Sequence, residues 1–412
     1  MSLKDRILEK SGSYNYYKDN YGRLKKQLKT KNSKIKDYEA LIHSFETRFD
    51  KSDGLKKDAK DINIAYVLYA FPIHSQTFVV NEVRWLVENG YNVVIFTKAD
   101  SDKPVELDFA VENYRFSNTT QLEALFLEHD IDIAHTHFIY PMCTNFTYPV
   151  CERLKVPFTV FVHAYDIFRK DNDERNKIDE ISNSECCRAI FTLSEFHKNY
   201  LLERNVREDK IVITKQATSY ELAPLAKKDR KIKNIISISR FVEKKGLDVL
   251  IDAAKLLEDE DFTFEIYGFG DLHNQLQSQI DELGCRNISI KGELQPNEVQ
   301  DKLMEADLLA APCKIAKNGD MDGFPTVIFE AMACGLPYVT TKVSAIPEIV
   351  EDGVNGFITE PASPELFSQK IIEVSRLSSD ELFEVIRKAQ EDVENISSVE
   401  KTMNRFIDTI KE

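Results

Sequence analysis

Residues 318–339 read NGDMDGFPTVIFEAMACGLPYV, with one short apolar run, Asp307–Ala311, before them and another, Pro337–Thr340, closing them. Pro325 suits the first turn of a helix running to about Ala333, and Gly335 suits its end. Strand, helix and strand in so little chain is the repeat of a parallel sheet covered on both faces. Asn234–Ser239, Thr263–Tyr267 and Ile288–Ile290 continue that pattern upstream. A polar, Lys-rich stretch over Tyr220–Lys233 predicts a linker. Before it a second set of runs, Ile62–Tyr69, Asn92–Thr97, Ile131–His135, Phe158–His163, Ala189–Leu193 and Ile211–Thr214, alternates with helical segments. The expected fold is therefore α/β: two Rossmann-like domains in tandem, 61–225 and 232–390, facing a common cleft. Residues 391–412 form a C-terminal helix expected to pack back on the first domain.

Residues 1–60 are different in kind. From Tyr14 to Phe49 apolar residues recur in alternating steps of three and four, the seam of a coiled coil or long amphipathic helix. Seven basic residues and no acid lie between Arg23 and Lys36. This extension predicts helix packing or self-association, and attraction to an anionic membrane face.

The chain has 412 residues and a net charge of −15, unevenly spread. Residues 1–60 carry 16 Lys/Arg against 9 Asp/Glu, so the acidity resides in the body. An acidic body excludes a general nucleic-acid binder, which needs a basic surface for phosphates. No apolar run approaches the roughly 20 residues that span a bilayer. Seven cysteines without a CxxC pair read as reduced thiols, and the expected location is cytoplasmic.

Chemistry is expected at the carboxyl ends of the strands. In SISRFVEKKGLD, Arg240 leaves a strand and Lys245 precedes Gly246 and a helix; two cations there suit a diphosphate. Asp322, Gly323 and Phe324 stand at the entrance of the helix that Pro325 and Thr326 begin, where free N–H groups favour an anion. Glu330 lies about two turns along, inside an apolar run where a buried acid needs a partner. Asp320-Met321-Asp322 spells a DxD triplet, but a metal there would compete with the helix-entrance arrangement, and no metal is expected. Gly268-Phe269-Gly270 follows a strand without the third glycine of a dinucleotide fingerprint. In the first domain His163, in HAYD with Asp166, ends a strand and can donate a hydrogen bond to a sugar hydroxyl or phosphate. His135 and His137 have no third zinc ligand at suitable spacing and read as strand-end residues.

FPIHSQTFVVNEVRWL, HAYD, SRFVEKKGLD, YGFGDL and above all DGFPTVIFEAMACGLPYVTTKVSAIPEIVEDGVNGFI resemble glycosyltransferase family four, of GT-B fold. The resemblance covers residues 62–390 and is strongest to surface-polysaccharide enzymes. It implies a retaining, metal-independent transfer of a hexose from a nucleotide diphosphate sugar to a glycan or lipid-linked acceptor. Arg240 and Lys245 would hold the diphosphate, Gly323–Thr326 amides the β-phosphate, Glu330 the ribose, Asp322 the hexose, and Leu294 with Gly268 the base and nucleotide side. His163 would lie by the anomeric carbon, with Ser75, Thr77 and Asp166 toward the acceptor. The family has Glu where Asp322 stands, and a glycine-rich first loop where this chain has FPIHSQTF. An epimerase of similar fold and a non-catalytic scaffold are the rival readings.

Overall fold

The computed structural model describes residues 59–411 apart from 74–75, 102–103 and 226–230, together with Lys18, Asp19, Lys36 and Glu39. The coiled-coil expectation for residues 1–60 thus lies almost wholly outside the described residues. Seven strands make the first sheet: β1 (Asn63–Leu68), β2 (Asn92–Thr97), β3 (Glu112–Arg115), β4 (Ile133–His137), β5 (Phe158–Phe161), β6 (Cys187–Thr192) and β7 (Ile211–Ile213). Their order is β3-β2-β1-β4-β5-β6-β7, every pairing parallel. Six make the second: β8 (Asn234–Ile238), β9 (Thr263–Tyr267), β10 (Ile288–Gly292), β11 (Leu308–Ala311), β12 (Tyr338–Thr341) and β13 (Phe357–Thr359), ordered β10-β9-β8-β11-β12-β13 and again all parallel. Both sheets reverse their winding between two central strands, β1 and β4 in one and β8 and β11 in the other. Such reversals open a crevice at the carboxyl ends.

Both faces of these sheets are covered, which is why β1 (NIAYVL) is apolar at nearly every position and buried from Ile64 onward. Two strands escape the sequence reading. β3 (ENYR) is a polar edge strand, mostly exposed, and β13 has three residues. β4 begins two residues later than expected, so His135 sits mid-strand and not at its end.

The helices that shape the cleft and the domain junction are α1 (Thr77–Glu88), α2 (Glu195–Glu203), α3 (Leu247–Leu256), α4 (Thr326–Ala333), α5 (Ser379–Ile396) and α6 (Val399–Lys411). α5 belongs to the second domain, and its Gln390 amide donates to the carbonyls of Ala223 and Ala333, at 2.7 and 2.9 Å. The chain then crosses back at Ser397–Ser398. Met403, Phe406, Ile407 and Ile410 of α6 share one buried cluster with Val79, Val83 and Leu86 of α1. Phe406 is 5% exposed and packs on Tyr66, His135 and Phe191. Phe406→Ala should therefore lower the unfolding free energy by about 3–5 kcal/mol, through lost burial plus a residual cavity, as read from urea denaturation.

Candidate active site

Three loops at the carboxyl ends of β8, β9 and β11 are pressed together until no side chain fits between them. Gly246 has φ +65°, and a Cβ there would stand 1.9 Å from the Pro312 carbonyl oxygen. Gly268, at φ +139°, would place one 1.8 Å from the Ser239 oxygen. Backbone bonds stitch the contact: Phe241 N–H donates to Phe269 O at 2.6 Å, and Lys314 N–H to Lys244 O at 2.9 Å. Glycine spacing after β9 thus serves close approach of main chain to main chain.

This approach brings two lysines onto two aspartates. Lys245 Nζ lies 2.5 Å from Asp322 Oδ2, and Lys244 Nζ lies 3.0 Å from Asp320 Oδ1 and 3.4 Å from Asp322 Oδ1. Burial alone would raise the Asp322 pKa, yet Lys245 and Lys244 hold it below the usual carboxylate range. Burial likewise opposes the Lys245 charge, but Asp322 keeps that pKa raised. The buried Cys313 thiol, pushed up to about 12 by burial and Asp322, stays protonated at 3.7 Å from Asp322. Lys244 was not among the sequence candidates; only the fold reveals that it turns inward. The DxD carboxylates face ammonium groups, which oppose a divalent cation at the same place. Arg240 is exposed and forms no ion pair among the described residues, and its charge acts on Lys245.

Helix α4 begins at Thr326, so Pro325 occupies the flanking N-cap position and not the first turn; its ψ of 116° is extended. Gly323 and Phe324 lead into it, directly after the paired Asp322. A Cβ on Gly323 would lie 3.0 Å from Leu193 and 3.2 Å from His197 of the first domain. Lys215 Nζ stands 4.6 Å above the Phe324 ring, and Phe329 stacks on Tyr220. Glu348 accepts the N–H groups of Glu195 and Phe196, at 3.0 and 2.6 Å, so an acid of the second domain caps α2 of the first. The helix-entrance candidates Asp322 to Thr326 therefore lie where the two domains meet.

Glu330, on α4, lines a cavity of roughly 160 Å³ with Tyr220, Glu221, Gln300 and Leu303. Its side chain makes no hydrogen bond or ion pair among the described residues. Burial pushes its pKa up to about 7, with Lys245 pulling the other way. Leu294, after β10, is partly buried and packs on the core, and Gly268 directly follows β9.

On the facing side His163 follows β5 and is buried among Phe138, Phe161 and Phe78, with ring centroids at 4.5, 5.0 and 5.2 Å. Burial, aided by His137, holds its pKa well below the ordinary range and keeps the ring neutral. Asp166, expected near the acceptor, is fully buried: its carboxylate accepts the N–H groups of Ile139 (2.5 Å) and His163 (2.7 Å), so it shapes the turn and does not reach the cleft. Thr77 is exposed at the start of α1, and Ser75 lies outside the described residues. The expectation that His135 and His137 lack a third partner is corrected. Glu82 of α1 places Oε2 2.9 Å from His137 Nε2 and 4.0 Å from His135 Nε2. An i, i+2 histidine pair on a strand and an acid some fifty residues earlier meet only through the fold.

Two parallel-sheet domains meeting at a helix entrance define a GT-B architecture. The chain matches the family model for glycosyltransferase family 4 over residues 75–215 and that for glycosyl transferases group 1 over 223–392. It is 25% identical over 375 residues to the amylovoran biosynthesis glycosyltransferase AmsK of Erwinia amylovora, covering 77% of this chain and 92% of AmsK. It is 35% identical over 164 residues to the putative colanic acid biosynthesis glycosyltransferase WcaL of Escherichia coli, 39% of this chain and 40% of WcaL. In fold it is similar to HepE of Anabaena in complex with UDP, with TM-score 0.67 at 18% identity over 85% of this chain and 99% of HepE. The chain belongs to the glycosyltransferase family 4, group 1 glycosyltransferases, and is a glycosyltransferase of GT-B fold.

An acid whose pKa is raised from 4.5 to about 7 in the folded state gives full stability below the unfolded value, which is lost as pH rises through 7. Glu330→Gln removes that penalty. The variant should match the parent near pH 4.5 and exceed it by about 1–3 kcal/mol near pH 8, as measured by denaturation at both values without ligand.

Proposed function

We propose that this chain is a retaining hexosyltransferase that moves a sugar from a nucleotide diphosphate donor to a glycan or lipid-linked acceptor without a metal. The observation that carries this is the 2.5 Å contact between Lys245 and Asp322, one residue before Gly323 and beside an uncommitted Arg240. Breaking the bond from anomeric carbon to phosphate leaves an oxocarbenium-like sugar and a more negative diphosphate. Arg240, Lys245 and the entrance of α4 would receive that charge in place of a divalent ion. When phosphate engages Lys245, Asp322 is released toward the sugar hydroxyls, with Lys244 still balancing its charge. Glu330 in its cavity suits a pair of ribose hydroxyls. The carboxylate beside His163, that of Asp166, is buried and taken up by the N–H groups of Ile139 and His163, which suits attack from the leaving-group face, with a phosphate oxygen taking the acceptor proton.

Likeness to enzymes of amylovoran and colanic acid biosynthesis supports a surface polysaccharide as the product class. UDP and UDP-glucose bound to HepE support a nucleotide-sugar donor. No helix among the described residues is long and apolar enough to cross a membrane. The basic N-terminal extension would bring the enzyme to an anionic cytoplasmic membrane face or to a second copy.

A panel of nucleotide diphosphate sugars screened by thermal shift should yield one that stabilises the protein, by about 2.7 kcal/mol at a hundredfold excess over Kd. With that donor Lys245→Ala should cut kcat/KM by about 10²–10³-fold, the loss of one preorganised charge on the leaving group. Glu330→Ala should chiefly weaken donor affinity in calorimetry. Near-native transfer by the lysine variant would overturn the assignment.

A further inference from the structure

A buried polar chain runs from the middle of the first sheet to His163, and we infer that it fixes which nitrogen of His163 faces the cleft. Glu82 and His137 hold His163 as the tautomer protonated on Nε2, so that Nδ1 presents a lone pair toward Gln216 and the domain junction.

The polarity follows from the far end. Two groups converge on one oxygen, Glu82 Oε2: the Tyr66 hydroxyl at 3.1 Å and His137 Nε2 at 2.9 Å. Tyr66 keeps its proton, since burial and the neighbouring Glu82 raise its pKa well above the ordinary value, and it donates. One carboxyl oxygen facing both accepts both, which places the His137 proton on Nε2 and leaves its Nδ1 bare. His163 Nε2 stands 3.1 Å from that bare nitrogen and must supply the proton between them. The remaining nitrogen, His163 Nδ1, is then an acceptor, and the Gln216 amide nitrogen faces it at 3.3 Å. His135 adds no link: its Nδ1 is 2.7 Å from Thr159 Oγ1, and its Nε2 is beyond hydrogen-bond reach of Glu82 at 4.0 Å. The links come from β1, α1, β4, the turn after β5 and the segment after β7, so the fold imposes the direction and no single element does. Three phenylalanine rings around His163 hold its plane.

The consequence for transfer rests on the function proposed above; the tautomer does not. A lone pair accepts a hydrogen bond from a hydroxyl of the sugar or the acceptor, where the sequence reading had His163 donating one. Gln216, beside a cavity lined also by Phe324 and Tyr220, is the group such a hydroxyl would displace. Glu82 and His137 are thus positioning residues. Glu82, His135 and His137 also bring three ligand atoms within 4.8 Å of one another. A cation on His137 Nε2 would move the proton to Nδ1 and reverse the whole chain, so one measurement separates the two arrangements.

Isotope labelling of the imidazole nitrogens in the full chain, with His163→Gln to assign the signal, reads the tautomer by two-bond proton–nitrogen correlation. A protonated Nε2 and a bare Nδ1 are expected. The opposite pattern overturns the inference whether or not the protein transfers sugars. With the donor found by thermal shift, Glu82→Leu, which deletes the acceptor oxygen, should lower kcat by about 10-fold or more at little changed donor KM, while Glu82→Gln, which keeps it, stays close to the parent. Should Glu82→Leu fail to fold, His137→Phe keeps a ring and deletes both nitrogens. A folded variant of either kind with parental kcat overturns the positioning role.

Discussion

The second domain is organised around four opposite charges held almost out of water: Lys244 and Lys245 against Asp320 and Asp322. Desolvating such groups is costly, and their attraction offsets that cost only when the geometry is tight and every partner is present. The glycines supply the tightness. Without a Cβ at 246 and 268, the loops leaving β8, β9 and β11 approach until backbone meets backbone. The lysines and aspartates are then forced into contact across the point where the strand order reverses. A side chain at either glycine would separate the loops and leave buried charge uncompensated, which is why backbone and electrostatics cannot be altered separately here.

The same clustering balances the charge of these four groups. Inside, two positive and two negative groups cancel. Outside them stand exposed Arg240 and the entrance of α4, both favouring an anion. First-domain groups then close over that entrance: Leu193 and His197 against Gly323, Lys215 above Phe324. Glu348, capping α2 from the other domain, joins the two bodies through main-chain N–H groups and a single carboxylate. Such a contact satisfies free amides at a helix start and itself needs little apolar burial.

Much of this was legible in the sequence. The parallel strands announced themselves as short apolar runs, because a sheet covered on both faces admits no polar alternation, and Arg240, Lys245, Asp322 and Glu330 stood out against strand ends and apolar helix. β3 did not, since ENYR is a solvated edge without an apolar signal. Lys244 could not be told from its neighbour Lys245: adjacent lysines read as one basic turn until the Gly246 bend turns both inward. Asp166 looked like a cleft acid because HAYD follows a strand, yet its oxygens belong to the amides of residues 139 and 163. Glu82 was the furthest from view. Within VVNEVRWL it reads as the polar side of an amphipathic helix, and only packing of α1 over β1 and β4 brings it to Tyr66 and His137.

The two halves of the cleft consequently differ in electrostatic character, and the difference has a chemical logic under the transferase reading. The second domain concentrates cations where a diphosphate gains charge. The first faces it with His163, kept neutral by burial among aromatic rings. An imidazolium beside a sugar becoming oxocarbenium-like would oppose the charge that develops there; a neutral ring does not. Keeping that ring neutral requires that no water reach it, and fixing its proton then requires a partner for every buried nitrogen. Placing Glu82 two hydrogen bonds back from the ring meets both needs: its oxygen anchors the chain of hydrogen bonds, yet stays deep in the sheet, away from the phosphates.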